Sequence, residues 1–357
     1  MIKYIIRRLI QAVPTFFGIT ILSYMLMSAA PGGPAAALTF DPKLTPQQRE
    51  RVAERMGVND PWPVQYFRWL VGDDWVLYDR NEDGIAEEPG ERRGILRGDF
   101  GRSFYQRRAV SDIIVERIPA TLELGFSALV VGLLIGIPVG IIAAVRRGGW
   151  FDTVTRVMAV IFNAIPIFWL GLILILLFGV ILPGWLNAAN PTLFPTDDPI
   201  LPMGSRCPTT LGGCPPIHQR LEFLILPTFV LATGTIAGYS RYMRASMLDV
   251  IGQDYIRTAK AKGLSSRNVW FRHGARNALI PLATFLGPAI TGLLSGAAIT
   301  ETIFSWPGLG RMAVGAVLQL DYPIVMAVVI VSAIATILGF ILSDIMYALI
   351  DPRIRFN

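Results

Sequence analysis

Few residues in this chain are of a type that does covalent or metal chemistry, and their spacing limits what they can do. The only histidines are His218 and His273, and the only cysteines are Cys207 and Cys214, in a stretch rich in Pro and Gly. In an oxidising compartment the two thiols can bridge; otherwise they remain free, and we expect the bridge. Asp79-Arg80-Asn81-Glu82-Asp83-Gly84 copies the first half of a calcium loop, with Asp79, Asn81 and Asp83 as oxygen ligands and Gly84 at the sharp turn. The closing position holds Gly90 instead of Glu, with Glu91 one residue late and Glu87 and Glu88 beside it. A weak Ca2+ site and an ordinary acidic surface hairpin both stay open, and the hairpin is favoured. No lysine stands in a Gly-x4-Gly-Lys-Ser/Thr run, and no Ser or Cys stands in a recognisable nucleophile elbow. No catalytic residue is assigned.

The elements that position these groups are apolar. Hydrophobic residues make up 53% of the chain and charged residues 16%, and the mean hydropathy is +0.50; a soluble domain carries about a quarter charged residues. Six apolar spans stand out, near 9–30, 121–145, 154–182, 223–240, 278–300 and 323–350. Each approaches or exceeds the ~18–20 residues that cross about 30 Å of hydrocarbon. The net charge of +6 raises nucleic acid as a partner. The distribution argues instead for the positive-inside rule, with Lys and Arg before the first span, after the second, through 241–276 and at the end. Both termini are then cytoplasmic, with 31–118 and 183–222 outside. The two histidines fall on opposite sides of the membrane. The expected divisions are 1–30, a first span; 31–118, an extracytoplasmic region with an acidic insertion at 73–93; and 119–357, a core of five spans.

Within the spans, Gly132, Gly136 and Gly140 lie on one helical face, and Gly292 and Gly296 repeat the pattern. Such small-residue stripes let helices pack closely in lipid, here within the chain more than between copies. Glu123, Glu301 and Asp344 are acids in or beside spans. Such groups are functional candidates, but Glu123 and Glu301 stand near outer ends, where we expect headgroups and water to reach them.

The segment Asp254-Tyr255-Ile256-Arg257-Thr258-Ala259-Lys260-Ala261-Lys262-Gly263-Leu264 reads as a short docking helix of roughly two turns, about 12 Å long. Asp254 is the expected N-cap and Gly263 the expected C′ residue, with Lys260 and Lys262 in the last turn against the helix dipole. Ala259 and Gly263 share a face on which a partner surface could approach closely. Leu264, Ser265 and Val269 then suggest a hydrophobic staple opening a second helix.

This segment resembles the cytoplasmic EAA loop of ABC-importer permeases, in the form found in dipeptide and oligopeptide (peptide/nickel) permease subunits. Arg257-Thr258-Ala259 and Gly263 stand where the general motif has Glu-Ala-Ala and Gly. Tyr4-Ile5-Ile6-Arg7-Arg8-Leu9, Gly98-Asp99-Phe100-Gly101-Arg102-Ser103, Pro119-Ala120-Thr121-Leu122-Glu123-Leu124, Glu301-Thr302-Ile303-Phe304-Ser305-Trp306-Pro307-Gly308-Leu309-Gly310 and Asp351-Pro352-Arg353 also match that family. The resemblance implies an all-α integral membrane protein with six transmembrane helices, of the type I ABC-importer permease kind, with a large extracytoplasmic region between the first two. It implies a non-enzymatic transport subunit in the cytoplasmic membrane of a prokaryote, importing di- or oligopeptides. It also implies partners: a paralogous permease subunit, two ATPase subunits holding ATP and Mg2+, and an extracytoplasmic solute-binding protein. Nickel, glutathione or oligosaccharide import are alternatives within the class. Outside it stand a secondary transporter or channel and a membrane scaffold. No substrate-binding residue is assigned.

Overall fold

The structure is a computed structural model, and it describes residues 2–29, 45, 60–78, 88–90, 92–190, 192, 196, 198–208, 214–282, 287–289, 292 and 297–350. It is helical. In chain order the helices are α1 (Ile2–Ala29), α2 (Trp62–Val71), α3 (Val110–Val145), α4 (Trp150–Ala164), α5 (Ile167–Ala189) and α6 (Leu221–Ile251). There follow α7 (Asp254–Ala261), α8 (Ala275–Ala278), α9 (Ala298–Ile303), α10 (Leu309–Leu318) and α11 (Tyr322–Ile350). Among the described residues, five helical stretches are long and apolar enough to cross a membrane: Ile6–Ala29, α3, α5, α6 and Tyr322–Ser343. The expected span 278–300 is described only in part, with 283–286, 290–291 and 293–296 outside the described residues.

The expected span 154–182 is corrected: it is two helices. Ile165 precedes Pro166 and adopts φ −72°, ψ 124°, because the proline ring crowds the α conformation of the residue before it. Pro166 then opens α5, where its missing N–H costs nothing. What lies before the break, α4, buries Asp152 and Ala159 on one face.

The chain divides into two compact units, 1–118 with 312–334, and 119–311 with 335–357. Residues 312–334 therefore depart from the expected 119–357 core. In the first unit, the reason is Asp321, which is buried. Its carboxylate accepts the Ser103 hydroxyl at 2.5 Å and the Phe104 backbone N–H at 3.1 Å. The Ser103 hydroxyl in turn accepts the Gln106 N–H at 2.8 Å. Leu70, Ile95 and Ile330 form the apolar core of this unit, with Phe16, Phe17 and Trp69 packed around them. Leu77–Tyr78 and Glu88–Pro89 pair as a short antiparallel ladder, β1 and β2. Asp79, Asn81 and Asp83, between them, lie outside the described residues.

In the second unit, α3 and α6 meet along the predicted glycine stripe. A Cβ on Gly132 would come within 2.4 Å of the Thr235 side chain, and one on Gly140 within 2.6 Å of the Ser240 carbonyl. On Gly136 it would stand 3.1 Å from Tyr239. Gly292 differs: among the described residues nothing lies within 4 Å of its added Cβ, so it closes no contact there. Gly296 lies outside the described residues. Beyond the stripe, Ile141, Met243, Met247, Ala275 and Ala278 form one buried cluster, which ties α8 to α3 and α6.

Asp152 at the start of α4 clamps α6. Arg244 donates to both its carboxylate oxygens, Nε at 2.6 Å and a terminal nitrogen at 2.9 Å, and the Gly148 N–H adds a third bond at 2.9 Å. The Arg244 guanidinium holds the Asp152 carboxyl down to about 2.

Two stability outcomes follow. Gly140→Ala overpacks the crossing and lowers detergent-solubilised stability by about 1–3 kcal/mol. Gly234→Ala, on α6 with open space around it, is neutral or stabilising by up to ~1 kcal/mol. Equal effects in a thermal-unfolding assay would contradict the close crossing. Asp152→Asn leaves Arg244 unpaired at 21% side-chain exposure and costs about 2–3 kcal/mol, below the ~3–5 of a fully buried broken pair. A depressed carboxylate stabilises above its unfolded-state pKa of about 4. The contribution is therefore full at neutral pH and is lost progressively as pH falls from about 4 through about 2. The difference between wild type and variant is accordingly constant from pH 6 to 8.

Candidate functional site

The segment 254–264 folds as predicted in kind, with three corrections. Its helix α7 has eight residues. The N-cap is Gln253, at φ −73° and ψ 149°, and Asp254 is already inside the first turn, where its charge still complements the dipole. Asp254 lies 3.6 Å from Arg257, but both side chains are so exposed that the pair contributes little. The C-terminus agrees with expectation. Gly263 sits at φ +74°, its N–H donates to the Lys260 carbonyl at 2.9 Å, and the Leu264 N–H reaches the Ala259 carbonyl at 3.4 Å. A left-handed residue closes the helix, and only glycine adopts that conformation without strain.

The second correction is which face is free. Ile256 and Ala259 are 0% and 6% exposed and pack with Val269, flanked by Val250 and Trp270. Burying Ile256 contributes about 1.5–3 kcal/mol. Lys260 places its Nζ 4.6 Å above the Trp270 ring, worth ~0.5–1 kcal/mol at an exposed site. Ala259 is thus covered by the chain's own return helix. At 100° per residue, the opposite face carries Arg257, Thr258 and Ala261, all exposed. The small residue presented outward beside Gly263 is Ala261. Tyr255, Lys262 and Leu264 are exposed as well.

The third correction concerns the return helix. Val269 meets Ile256 and Ala259 instead of Leu264, so the expected staple closes the hairpin on itself. Ser265 contributes its carbonyl, which accepts the Val269 N–H at 3.0 Å. The helix then runs as a π-helical stretch, Asn268–Gly274, before α8. His273 is exposed on it, and His218 is exposed at the far end of the 31-residue α6, a helix about 46 Å long.

A cavity of about 410 Å3 lies between α3 and α6, bounded also by Ala289, Gly292, Ala297 and Glu301. On α6 its wall is Leu231, Gly234, Thr235, Gly238, Tyr239 and Tyr242, one helical face by its three- and four-residue steps. Glycine leaves backbone exposed along this wall, and the Thr and Tyr hydroxyls add hydrogen-bonding groups to an otherwise apolar lining.

The acids near the spans are not the solvated groups expected. Glu301 is 0% exposed. Its carboxylate accepts the Thr121 hydroxyl at 3.1 Å and the Arg311 N–H at 2.9 Å. Thr121 Oγ1 accepts the Leu309 N–H at 2.7 Å, and the Trp306 indole N–H donates to the Ala120 carbonyl at 2.8 Å. A Cβ on Gly308 would come within 2.4 Å of the Glu301 carboxyl carbon. The two motifs 119–124 and 301–310 are therefore one interlocked structure. Glu123 is held by two arginines, Arg206 at 2.6 Å and Arg220 at 2.5 Å. These arginines bracket a disulfide between Cys207 and Cys214, with Cα atoms 5.6 Å apart. The side chain of Asp344 lies outside the described residues. Neither arginine was singled out from sequence, since nothing local marks a partner 83 or 97 residues away. Among the described residues no cluster of three or more metal-ligating side chains occurs.

Comparison with known proteins gives these features a setting. Residues 136–356 match the family described as binding-protein-dependent transport system inner membrane component, and residues 1–125 match its N-terminal counterpart. The chain is 41% identical to the oligopeptide transport system permease protein AppB of Bacillus subtilis (strain 168) over 357 residues, covering 100% of both chains. It is 35% identical to the dipeptide transport system permease protein DppB of Escherichia coli (strain K12), covering 99% of each. It is 36% identical to the di/tripeptide transport system permease protein DppB of Pseudomonas aeruginosa (strain UCBPP-PA14), again over 99% of each. The chain belongs to the binding-protein-dependent inner-membrane transport components, the permease subunits of ABC importers.

Proposed function

We propose that this permease subunit imports di- or oligopeptides, and that α7 and Gly263 form the contact through which separate ATPase subunits, carrying ATP and Mg2+, drive it. The observation that carries this is the self-packed hairpin. Its inner face is consumed by Ile256, Ala259 and Val269, so a push on Arg257, Thr258 or Ala261 is transmitted and not absorbed. The return helix is anchored on Met243 and Met247 of α6, and α6 forms one wall of the 410 Å3 cavity. A paralogous permease subunit would face that cavity across the path, and a solute-binding protein would deliver the peptide. The peptide substrate is supported by the names of the relatives, and by a lining of glycine backbone and hydroxyls suited to varied side chains.

The proposed orientation has both termini in the cytoplasm, with 31–118 and 183–222 outside. Charge supports it: 241–276 is strongly basic. So does a shared cavity: Tyr24, near the end of α1, and Tyr322, at the start of α11, line the same space. The first and last spans therefore run in opposite directions. Single cysteines placed at Tyr105 and Ser266 should react with a membrane-impermeant maleimide from opposite faces, Tyr105 from outside. Labelling of Ser266 from outside would reverse the orientation.

Coupling is tested in the reconstituted complex. Gly263→Val carries a backbone strain of about 1–3 kcal/mol and should lower substrate-stimulated ATP hydrolysis and uptake by at least about tenfold while the permease still inserts. Ala261→Trp should do the same through the contact alone. Ala259→Leu should instead destabilise the hairpin, showing as a lowered Tm. Normal uptake by Gly263→Val and Ala261→Trp, each in a normally assembled complex, would remove α7 as the coupling element.

A further inference from the structure

The N-terminal unit holds a second cavity, of about 160 Å3, that the transport reading does not use. Its place in the membrane is fixed by Tyr24, in the last turns of the first span, and Tyr322, in the first turn of the last. Helix α2 completes it: Trp69 packs 5.4 Å from the Tyr24 ring, centroid to centroid. A cavity at the ends of two spans, ringed by Tyr and Trp, lies at headgroup depth.

The residues lining the same cavity include three arginines, Arg68, Arg92 and Arg102, and, among the described residues, one acid, Asp99. Arg68 already pairs with Asp60. Asp99 accepts the backbone N–H groups of Arg93 and Gly101, each at 2.9 Å. Arg102 uses one terminal nitrogen on the Arg107 carbonyl, at 3.0 Å. Arg92 is fixed at its backbone: its N–H donates to Asp73 at 2.9 Å and its carbonyl accepts the Asp73 N–H at 2.9 Å. Phosphate matches the planar fork of a guanidinium. The volume is below the ~300–1,000 Å3 of small-molecule sites, which suits a compact head and excludes a peptide.

We propose that this cavity binds the phosphate of an anionic phospholipid, held by Arg92 and Arg102 beneath Trp69 and the two tyrosines. The site would tie the first and last spans to the lipid composition of one leaflet. It does not depend on which solute is transported.

The test uses the complete transporter, delipidated in detergent and titrated with phosphatidylglycerol or phosphatidylcholine, with retained lipid counted by native mass spectrometry. Phosphatidylglycerol should be retained about tenfold more tightly than phosphatidylcholine, and Arg92→Gln and Arg102→Gln should each weaken it by about tenfold, the loss of one charge-assisted contact. Arg108→Gln, whose side chain pairs with Glu116 outside the cavity lining, should leave retention unchanged. Arg102 is exposed, so its variant keeps the test valid if Arg92→Gln fails to fold. Equal retention of the two lipids, or wild-type retention in Arg102→Gln, overturns the proposal. Displacement of the lipid by millimolar inorganic phosphate alone assigns the cavity to a soluble anion and overturns the lipid source.

Discussion

The crossing of α3 and α6 is the constraint on which the second unit depends. In hydrocarbon no hydrophobic force drives helices together, so close packing must do it. Three glycines let the α3 backbone approach within contact of Thr235, Tyr239 and the Ser240 carbonyl. Three features hang from α6: one face walls the cavity, Met243 and Met247 seat the return helix, and Arg244 is clamped by Asp152. Widening that crossing by one methyl would shift all three. The Asp152–Arg244 pair adds direction to the packing, because a bidentate guanidinium fixes rotation as well as distance.

A second lock works at the other end of the same unit. Glu301 is buried, and its carboxylate is satisfied by the Thr121 hydroxyl and the Arg311 backbone N–H. Burying a carboxylate is costly unless it is hydrogen-bonded, so each donor is a requirement. Gly308 and Gly310 make room for it, since a Cβ on either would stand within 3.0 Å of its carboxyl group. Two sequence motifs nearly two hundred residues apart are therefore a single object, and a change in one is a change in the other.

What was legible in the sequence is what local physics decides. The length and composition of most spans, the glycine stripe, the C-terminal Gly263 and the existence of α7 depend on helical periodicity and backbone sterics, which a few adjacent residues determine. The break at Pro166 is equally local, but hydropathy alone runs straight through it. What sequence could not supply was the partner of each group. Ala259 was expected to face outward, yet Val269 covers it, because the direction in which the return helix folds back is a tertiary fact. Glu123 and Glu301 looked like end-of-span acids open to water, while their arginine and threonine partners lay far along the chain.

The helix α6 is 31 residues long, about 46 Å from end to end, with the hairpin seated near one end and cavity-lining residues along its length. A body of that shape behaves as a lever. If it pivots about its middle, a rotation of ~5° displaces each end by ~2 Å, opposite in direction at the two ends. Small motion at α7 is thereby returned as inverted motion at the far end, where Leu224 packs against Ala120, Leu124 and Trp306. Opening one mouth of the path and closing the other would then be a single movement of one rigid element, with no signal passed from residue to residue between them.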